Sequence, residues 1–256
     1  MEMGLSGIRI ILVEPAGPLN VGSVARVMKN MGLEQLILVN PRCDYLGEEA
    51  RNMAVHAGDI LEGAQVVPSL PDALVGCQRA IATTAQNRAL PTNLENPRQA
   101  LPWLLDQPSA LIFGREDRGL TNSELNYAQR FIRIPSTEIY PSLNLAQSVA
   151  ICCYELYHEA TQNLRQTPSL TPNPQLPMTP LCTDTPRASL EILEGYYQHL
   201  EDLLLKIEYL YPHTAASRME KFRRLYNRAY PTPEEVALLR GILRQVEWAI
   251  AQSEEK

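Results

Sequence analysis

The chain has 256 residues and a mass of 28.7 kDa, enough for one large domain or a domain with a small appendage. Hydrophobic residues make up 45% and charged residues 20%, which excludes collagen, a coiled coil and wholesale disorder. With 23 Lys and Arg against 29 Asp and Glu the net charge is -6, so a polyanion would meet local basic patches and not a global field. No apolar run approaches the roughly 20 residues of a membrane helix, and residues 1–11 carry no signal-peptide pattern. Cys43, Cys77, Cys152, Cys153 and Cys182 are odd in number and form no C-x-x-C pair. A cytoplasmic location, reduced thiols and no metal site are therefore expected.

Residues 8–13 read as a buried strand. A helix over residues 20–31 follows, with Val21, Val24, Ala25 and Met28 at helical spacing and Gly32 as its stop. Further strands are expected at 35–39, 79–83, 110–113 and 131–134, the last ended by Pro135. Residues 144–161 read as a long helix with Leu145, Val149, Cys152, Cys153 and Leu156 on or near one face. Strands alternating with helices imply a mostly parallel α/β sheet over residues 1–162. Residues 163–187 hold six prolines and read as an extended linker. Residues 188–256 read as a helical domain, with helices over 188–211 and 214–230 and a third opened by Thr232 and Pro233. The basic stretch 218–228 lies there, with Arg218, Lys221, Arg223, Arg224 and Arg228 against Glu220 alone.

Three segments at strand ends carry candidate chemistry. After the first strand, Asn20 can cap a helix, Gly22 permits close backbone approach, and Arg26 lies about one turn further on. Each also reads as an ordinary cap, packing glycine or surface arginine. After residues 110–113, Gly114, Arg115, Glu116, Asp117, Arg118 and Gly119 form either a solvated turn capped through Thr121 or Asn122, or a backbone-lined ligand turn. Between the last strand and the long helix, Pro135 and Pro141 stiffen a loop that exposes Ser136, Tyr140 and Ser142, and Ser142 or Asn144 can cap the helix.

In order and spacing the three segments resemble the signature motifs of the SPOUT class of methyltransferases. Asn20-x-Gly22-x-x-x-Arg26 resembles the first, Gly114-x-Glu116-x-x-Gly119-Leu120 the second, and Ser142-Leu143-Asn144 with the helix through Tyr154-Glu155 the third. Tyr140, Leu145-Ala146 and the tail from Leu238 to Leu243 look like the TrmJ-type tRNA 2'-O-methyltransferases within that class. The resemblance implies a trefoil knot at the carboxyl end of the sheet domain, a homodimer, and S-adenosyl-L-methionine as cofactor. It assigns cofactor binding to Thr83, Thr84, Ala85, Gly114, Ile134, Ser142 and Leu143, and catalysis to Arg26, Ser142, Asn20 and Glu116. RNA contacts are expected from Arg26, Arg115, Arg118, Tyr140, Arg223 and Arg224. The implied reaction is 2'-O-methylation of a ribose in tRNA, at the pyrimidine of anticodon-loop position 32. Ribosomal RNA methylation and non-catalytic RNA binding are the alternatives.

The chemistry makes a physical demand. A ribose 2'-hydroxyl is protonated at neutral pH, so it must be aligned with the methyl group and helped to lose its proton. Arginine is too strongly cationic to be an ordinary base, so Arg26 would stabilise the alkoxide or position the adjacent phosphate. Glu116 would orient Arg26, bind the cofactor or cap a helix.

Overall fold

Ile8, Ile10, Ile11 and Leu12 are fully buried in β1 (Ile8–Val13), a strand covered on both faces as its apolar run, broken only by Arg9, requires. The computed structural model describes residues 4–84, 94–165 and 187–254, and the chain divides into two compact units, residues 1–160 and 161–256. In the first unit α1 (Pro18–Asn30), β2 (Gln35–Val39), α2 (Glu48–Ala54), α3 (Gly58–Glu62), β3 (Gln65–Val67), α4 (Leu70–Leu74), β4 (Arg79–Thr83) and β5 (Leu94–Glu95) follow β1. Then come α5 (Pro97–Ala100), β6 (Ser109–Phe113), α6 (Asn122–Leu125), β7 (Arg130–Ile132) and α7 (Leu145–Arg165). The seven strands form one sheet in the order β3-β2-β1-β6-β4-β7-β5, every pair parallel. That order makes β6, β4 and β7 neighbours, so their carboxyl ends open side by side.

The strands expected from the sequence are β1, β2, β4, β6 and β7. The sheet's outer strands, β3 and β5, were not foreseen: they hold three and two residues, and β3 is largely exposed. α7 buries Leu145, Val149, Cys152, Cys153 and Leu156, the face expected of it. It runs through residue 165, so the expected linker over 163–187 begins as helix, and 166–186 lie outside the described residues.

One local reading needs correction and a second is settled in favour of packing. α1 starts at Pro18 with Gly17 as its N-cap, so Asn20 does not cap it. Proline fits the first helical position because it has no N–H to leave unpaired. Gly22 faces another helix and not a ligand: a Cβ there would lie 2.2 Å from the carbonyl oxygen of Ala50 in α2. Gly32, with φ of +68°, ends the α1 region as expected.

In the second unit α8 (Leu190–Lys206), α9 (Pro212–Ala229) and α10 (Pro233–Glu254) surround a core that includes Leu193, Tyr196, Leu203, Leu210, Met219 and Val236. Ser189 caps α8 by accepting the Ile192 N–H. Thr232 and Glu235 exchange side-chain to backbone bonds at the start of α10, which satisfies two otherwise unpaired N–H groups. The helical spacing of Phe222 and Tyr226 is core packing: both join this core, and Tyr226 meets Tyr196 edge to face at 5.1 Å. α8 stops at Lys206, five residues earlier than expected, and Glu208 takes a positive φ of 58° in the corner that follows. Among the described residues no helix is long and apolar enough to cross a membrane.

Candidate active site

A cleft of about 160 Å³ lies beyond the carboxyl ends of β4, β6 and β7, where an open parallel sheet places its ligands. β4 contributes Thr83 and Thr84, the turn after β6 contributes Gly114 to Leu120, β7 and its exit contribute Ile132 and Ile134, and the approach to α7 contributes Pro141, Ser142 and Leu143. Of the cofactor residues expected from the sequence, Thr83, Thr84, Gly114, Ile134, Ser142 and Leu143 line this one cleft. Ala85 lies outside the described residues. Thr83 is held by its hydroxyl on the Ile112 carbonyl (3.1 Å) and Thr84 by its N–H on Ile132 (3.0 Å).

The turn after β6 closes on itself. Gly119 donates to the Arg115 carbonyl at 2.8 Å and takes a φ of +67°. A Cβ on Gly114 would lie 2.2 Å from the Gly119 backbone, so the narrow turn requires glycine at both ends. Thr121 and Glu124 then form the capping box of α6, which resolves the choice between Thr121 and Asn122.

A directed chain of hydrogen bonds joins the three segments. Asn144 caps α7, its carbonyl oxygen accepting from the Ala146 (2.8 Å) and Gln147 (3.4 Å) N–H groups. Its amide nitrogen is thereby turned outward and donates to Asn20 Oδ1 at 3.0 Å. Asn20 Nδ2 donates to Glu116 Oε1 at 3.0 Å. Glu116 also accepts the Ala16 (3.0 Å) and Gly17 (3.1 Å) N–H groups at the start of α1, where the helix dipole favours a negative charge. Burial alone would raise the Glu116 carboxyl, but the bonds from Asn20, Ala16 and Gly17 outweigh it and hold it below its ordinary value. Glu116 is therefore an ionised acceptor at neutral pH. Among the described residues it makes no bond to Arg26.

A second network braces the same turn. Glu14, at a positive φ of 48°, receives Arg42 at 2.7 Å and Arg118 at 2.9 Å, with Arg115 at 3.6 Å. Arg118 also holds Glu124 at 3.2 Å, and Arg115 forms a two-point pair with Asp117. The bonds from Arg42 and Arg118 pull the Glu14 carboxyl down to about 2. Arg115 and Arg118, expected to contact RNA, are thus already engaged by carboxylates of their own chain. Glu14 escaped the sequence reading; the only sign of it was a charged residue ending an apolar strand.

The remaining expected residues are dispersed. Arg26 lies on the exposed side of α1, outside the lining of the cleft, and among the described residues its guanidinium makes no hydrogen bond or ion pair. Tyr140 is 78% exposed beside Ile139 at 96% in the loop before Ser142. In the second unit Arg223 pairs with Glu194 and stacks on Tyr197, 4.6 Å from the ring centre, while Arg224 on α9 makes no ion pair among the described residues.

Comparison with known proteins agrees with this geometry. The sequence profile of the SpoU rRNA methylase family matches residues 7–154, which contain the whole described lining of the cleft. The chain belongs to the SpoU methylase family. Outside the SpoU region, residues 191–256 match the C-terminal domain of the tRNA methyltransferase TrmJ. The tRNA (cytidine/uridine-2'-O-)-methyltransferase TrmJ of Pectobacterium atrosepticum is 39% identical over 247 residues, 95% of this chain and 98% of that one. Its counterpart from Citrobacter koseri is 39% identical over 249 residues, 95% and 97% of the two chains. The crystal structure of TrmJ from Z. mobilis ZM4 superimposes with a TM-score of 0.79 at 30% identity, covering 93% of this chain and 98% of that one. The SpoU assignment and the parallel sheet with its helical tail agree with the SPOUT resemblance of the sequence.

Proposed function

We propose that this protein is an S-adenosyl-L-methionine-dependent tRNA 2'-O-methyltransferase, with the pyrimidine ribose at anticodon-loop position 32 as its target. The observation that carries the reading is the joining of the three motif segments, the second and third of which line the cleft, through Asn144, Asn20 and Glu116. The 39% identity to a tRNA (cytidine/uridine-2'-O-)-methyltransferase over 95% of this chain supports tRNA over ribosomal RNA as the substrate. The tRNA pool makes the cytoplasm its place of work.

The cleft suits the cofactor chemically. Phe113, Leu120, Ile132 and Leu145 give it an apolar wall for a purine ring, and Arg115, Glu116 and Asp117, each engaged within the chain, make part of its lining polar for a zwitterionic amino acid. Thr83, Thr84, Gly114, Ile134, Ser142 and Leu143 would hold the cofactor, largely through main-chain groups. When bound, it supplies a methyl group made electrophilic by a sulfonium. Ser142, exposed at the cleft mouth, orients the ribose 2'-hydroxyl. Glu116 stays ionised and fixes the α1 terminus and, through Asn20 and Asn144, the start of α7; it moves no proton. Arg26 stabilises the developing alkoxide or holds the neighbouring phosphate.

Because Arg26 lies outside the lining of the cleft of its own chain, a second subunit completes the site. α1 exposes Leu19 beside Arg26, and α7 exposes Ile151, Tyr154 and Tyr157, an apolar surface suited to a homodimer. The SPOUT trefoil knot belongs to the same reading, as does the division of labour between a methyltransferase domain (1–162), a linker (163–187) and a helical domain (188–256). Nucleoside mass spectrometry of tRNA and ribosomal RNA from cells lacking the protein tests the function. A 2'-O-methylpyrimidine missing from position 32 of tRNA is the expected result, whereas loss from ribosomal RNA alone, or no loss, overturns it. Sedimentation equilibrium at micromolar concentration is expected to give twice the monomer mass.

A further inference from the structure

The corner between α8 and α9 carries an exposed aromatic and cationic surface that the reaction chemistry does not use. Leu210, 1% exposed, is its anchor: its side chain enters the core and its N–H donates to the Leu204 carbonyl at 2.9 Å. The residues on either side, Tyr209 and Tyr211, are 54% and 49% exposed.

Both tyrosines have fixed backbones. The Tyr211 carbonyl accepts the Thr214 and Ala215 N–H groups, each at 2.8 Å, and Pro212 sets the first turn of α9. The Tyr209 carbonyl accepts Arg218 at 3.0 Å, and the same guanidinium lies 5.9 Å from the Tyr209 ring centre. Tyr211 stacks on exposed His213, ring centres 6.0 Å apart and planes 21° from parallel. Lys206 and Lys221 are exposed on the adjoining helices, and over residues 203–221 the cations Lys206, Arg218 and Lys221 outnumber the carboxylates Glu208 and Glu220.

Single-stranded nucleic acid is gripped by this combination: flat faces for bases and nearby cations for phosphates. A protein partner would favour a contiguous aliphatic patch with a polar rim, whereas between residues 206 and 221 a single large aliphatic side chain, Ile207, is exposed among aromatic rings and cations. We infer that the α8–α9 corner is a stacking platform for unpaired nucleotides of the RNA substrate, with Tyr209 and the Tyr211–His213 pair receiving bases and Arg218 and Lys221 receiving phosphates. The inference rests on the proposed tRNA reading and adds a second contact region to it. Rings held by an ordered backbone lose little freedom when a base settles on them.

The test measures anisotropy of a 5'-fluorescein tRNA transcript and of a blunt RNA duplex of 16 base pairs, using the full chain. The double variant Tyr209→Ala/Tyr211→Ala is expected to bind tRNA about tenfold more weakly, as the loss of one or two stacked bases implies. Its duplex affinity and its S-adenosylmethionine affinity by calorimetry should match the parent protein. The double variant Tyr209→Phe/Tyr211→Phe should restore tRNA binding, because stacking needs the ring and not the hydroxyl. Arg218→Gln should weaken both RNAs and lower the salt slope by about one. Unchanged tRNA affinity in the alanine variant overturns the platform, and so does an equal loss for duplex and tRNA, or a failure of the phenylalanine pair to restore binding. If the parent protein binds and methylates tRNA while the alanine variant equals it, only the platform falls. If the parent protein neither binds nor methylates tRNA, the functional reading falls with it.

Discussion

At the carboxyl edge of the sheet, Arg42, Arg115 and Arg118 are engaged with Glu14, Asp117 and Glu124. On α9, Lys221, Arg224 and Arg228 make no ion pair among the described residues, while Arg223 is tied down by Glu194 and Arg218 by the Tyr209 carbonyl. The same cationic chemistry therefore serves two ends. In the first region it braces a turn whose shape defines a ligand cleft. In the second it leaves positive charge for a polyanion. An arginine count cannot separate these uses, because Glu14, the carboxylate shared by the three arginines, lies far along the chain: it is 104 residues from Arg118.

Arg26 breaks the contrast, since it sits in the sheet unit yet has no partner among the described residues, and it should give the largest effect. Arg26→Ala is expected to lower kcat/KM for tRNA by about 100-fold or more while S-adenosylmethionine affinity, read by calorimetry, stays within about twofold. Normal turnover would return Arg26 to the ordinary surface arginines. Asn20→Ala cuts the chain between Asn144 and Glu116 and leaves the half-buried Glu116 and the exposed Asn144 each one partner short. About a tenfold loss of S-adenosylmethionine affinity should follow, with tRNA affinity in the absence of cofactor unchanged. An unaltered cofactor affinity would show that the chain is incidental to the cleft.

Glu14→Gln probes the bracing network itself. With the Glu14 carboxyl at about 2 in the folded protein against an ordinary 4.5, its contribution is complete above about pH 4.5 and disappears as the pH falls toward 2. The variant should be about 1–3 kcal/mol less stable at pH 7 by urea unfolding, and its deficit should shrink through that acidic window. A deficit that does not vary with pH would mean the charge is immaterial. The smallest effect belongs to α9: Arg224→Ala should weaken tRNA binding about two- to threefold and lower the salt slope by about one, leaving cofactor affinity alone.

What the sequence disclosed follows the same division. β1, β6 and α7 were legible because long apolar runs and a helical stripe are local signals, and Gly32 and Thr232 mark ends by local chemistry. β3 and β5 were not, because strands of three and two residues owe their form to the neighbour they pair with. The resemblance grouped Thr83, Gly114 and Ser142, each at the end of a segment that the pattern located, and all three line one cleft. The function of Asn20 was misread as a cap because the real claimant for the α1 terminus, Glu116, lies 100 residues from Ala16. Gly22 was legible as a packing glycine, but its partner was not, being a short helix with no strong pattern of its own. Glu14 needed knowledge of three arginines from two other loops.

The chain of bonds from Asn144 to Glu116 also fixes when the cleft can exist. Asn20 and Asn144 are 124 residues apart, and the lining runs from Thr83 to Ser148. A chain emerging from the ribosome can pair β1 with β2 early, but the turn after β6 meets its last wall only once the start of α7 has been synthesised and docked. Contacts of such separation slow folding, since long loops must close before anything rewards the closure. A small molecule that fills the cleft consequently recognises only the finished sheet unit. At a hundred times its dissociation constant it would add about 2.7 kcal/mol to that unit's stability, so the cell's supply of the ligand helps set how much folded protein survives each round of synthesis.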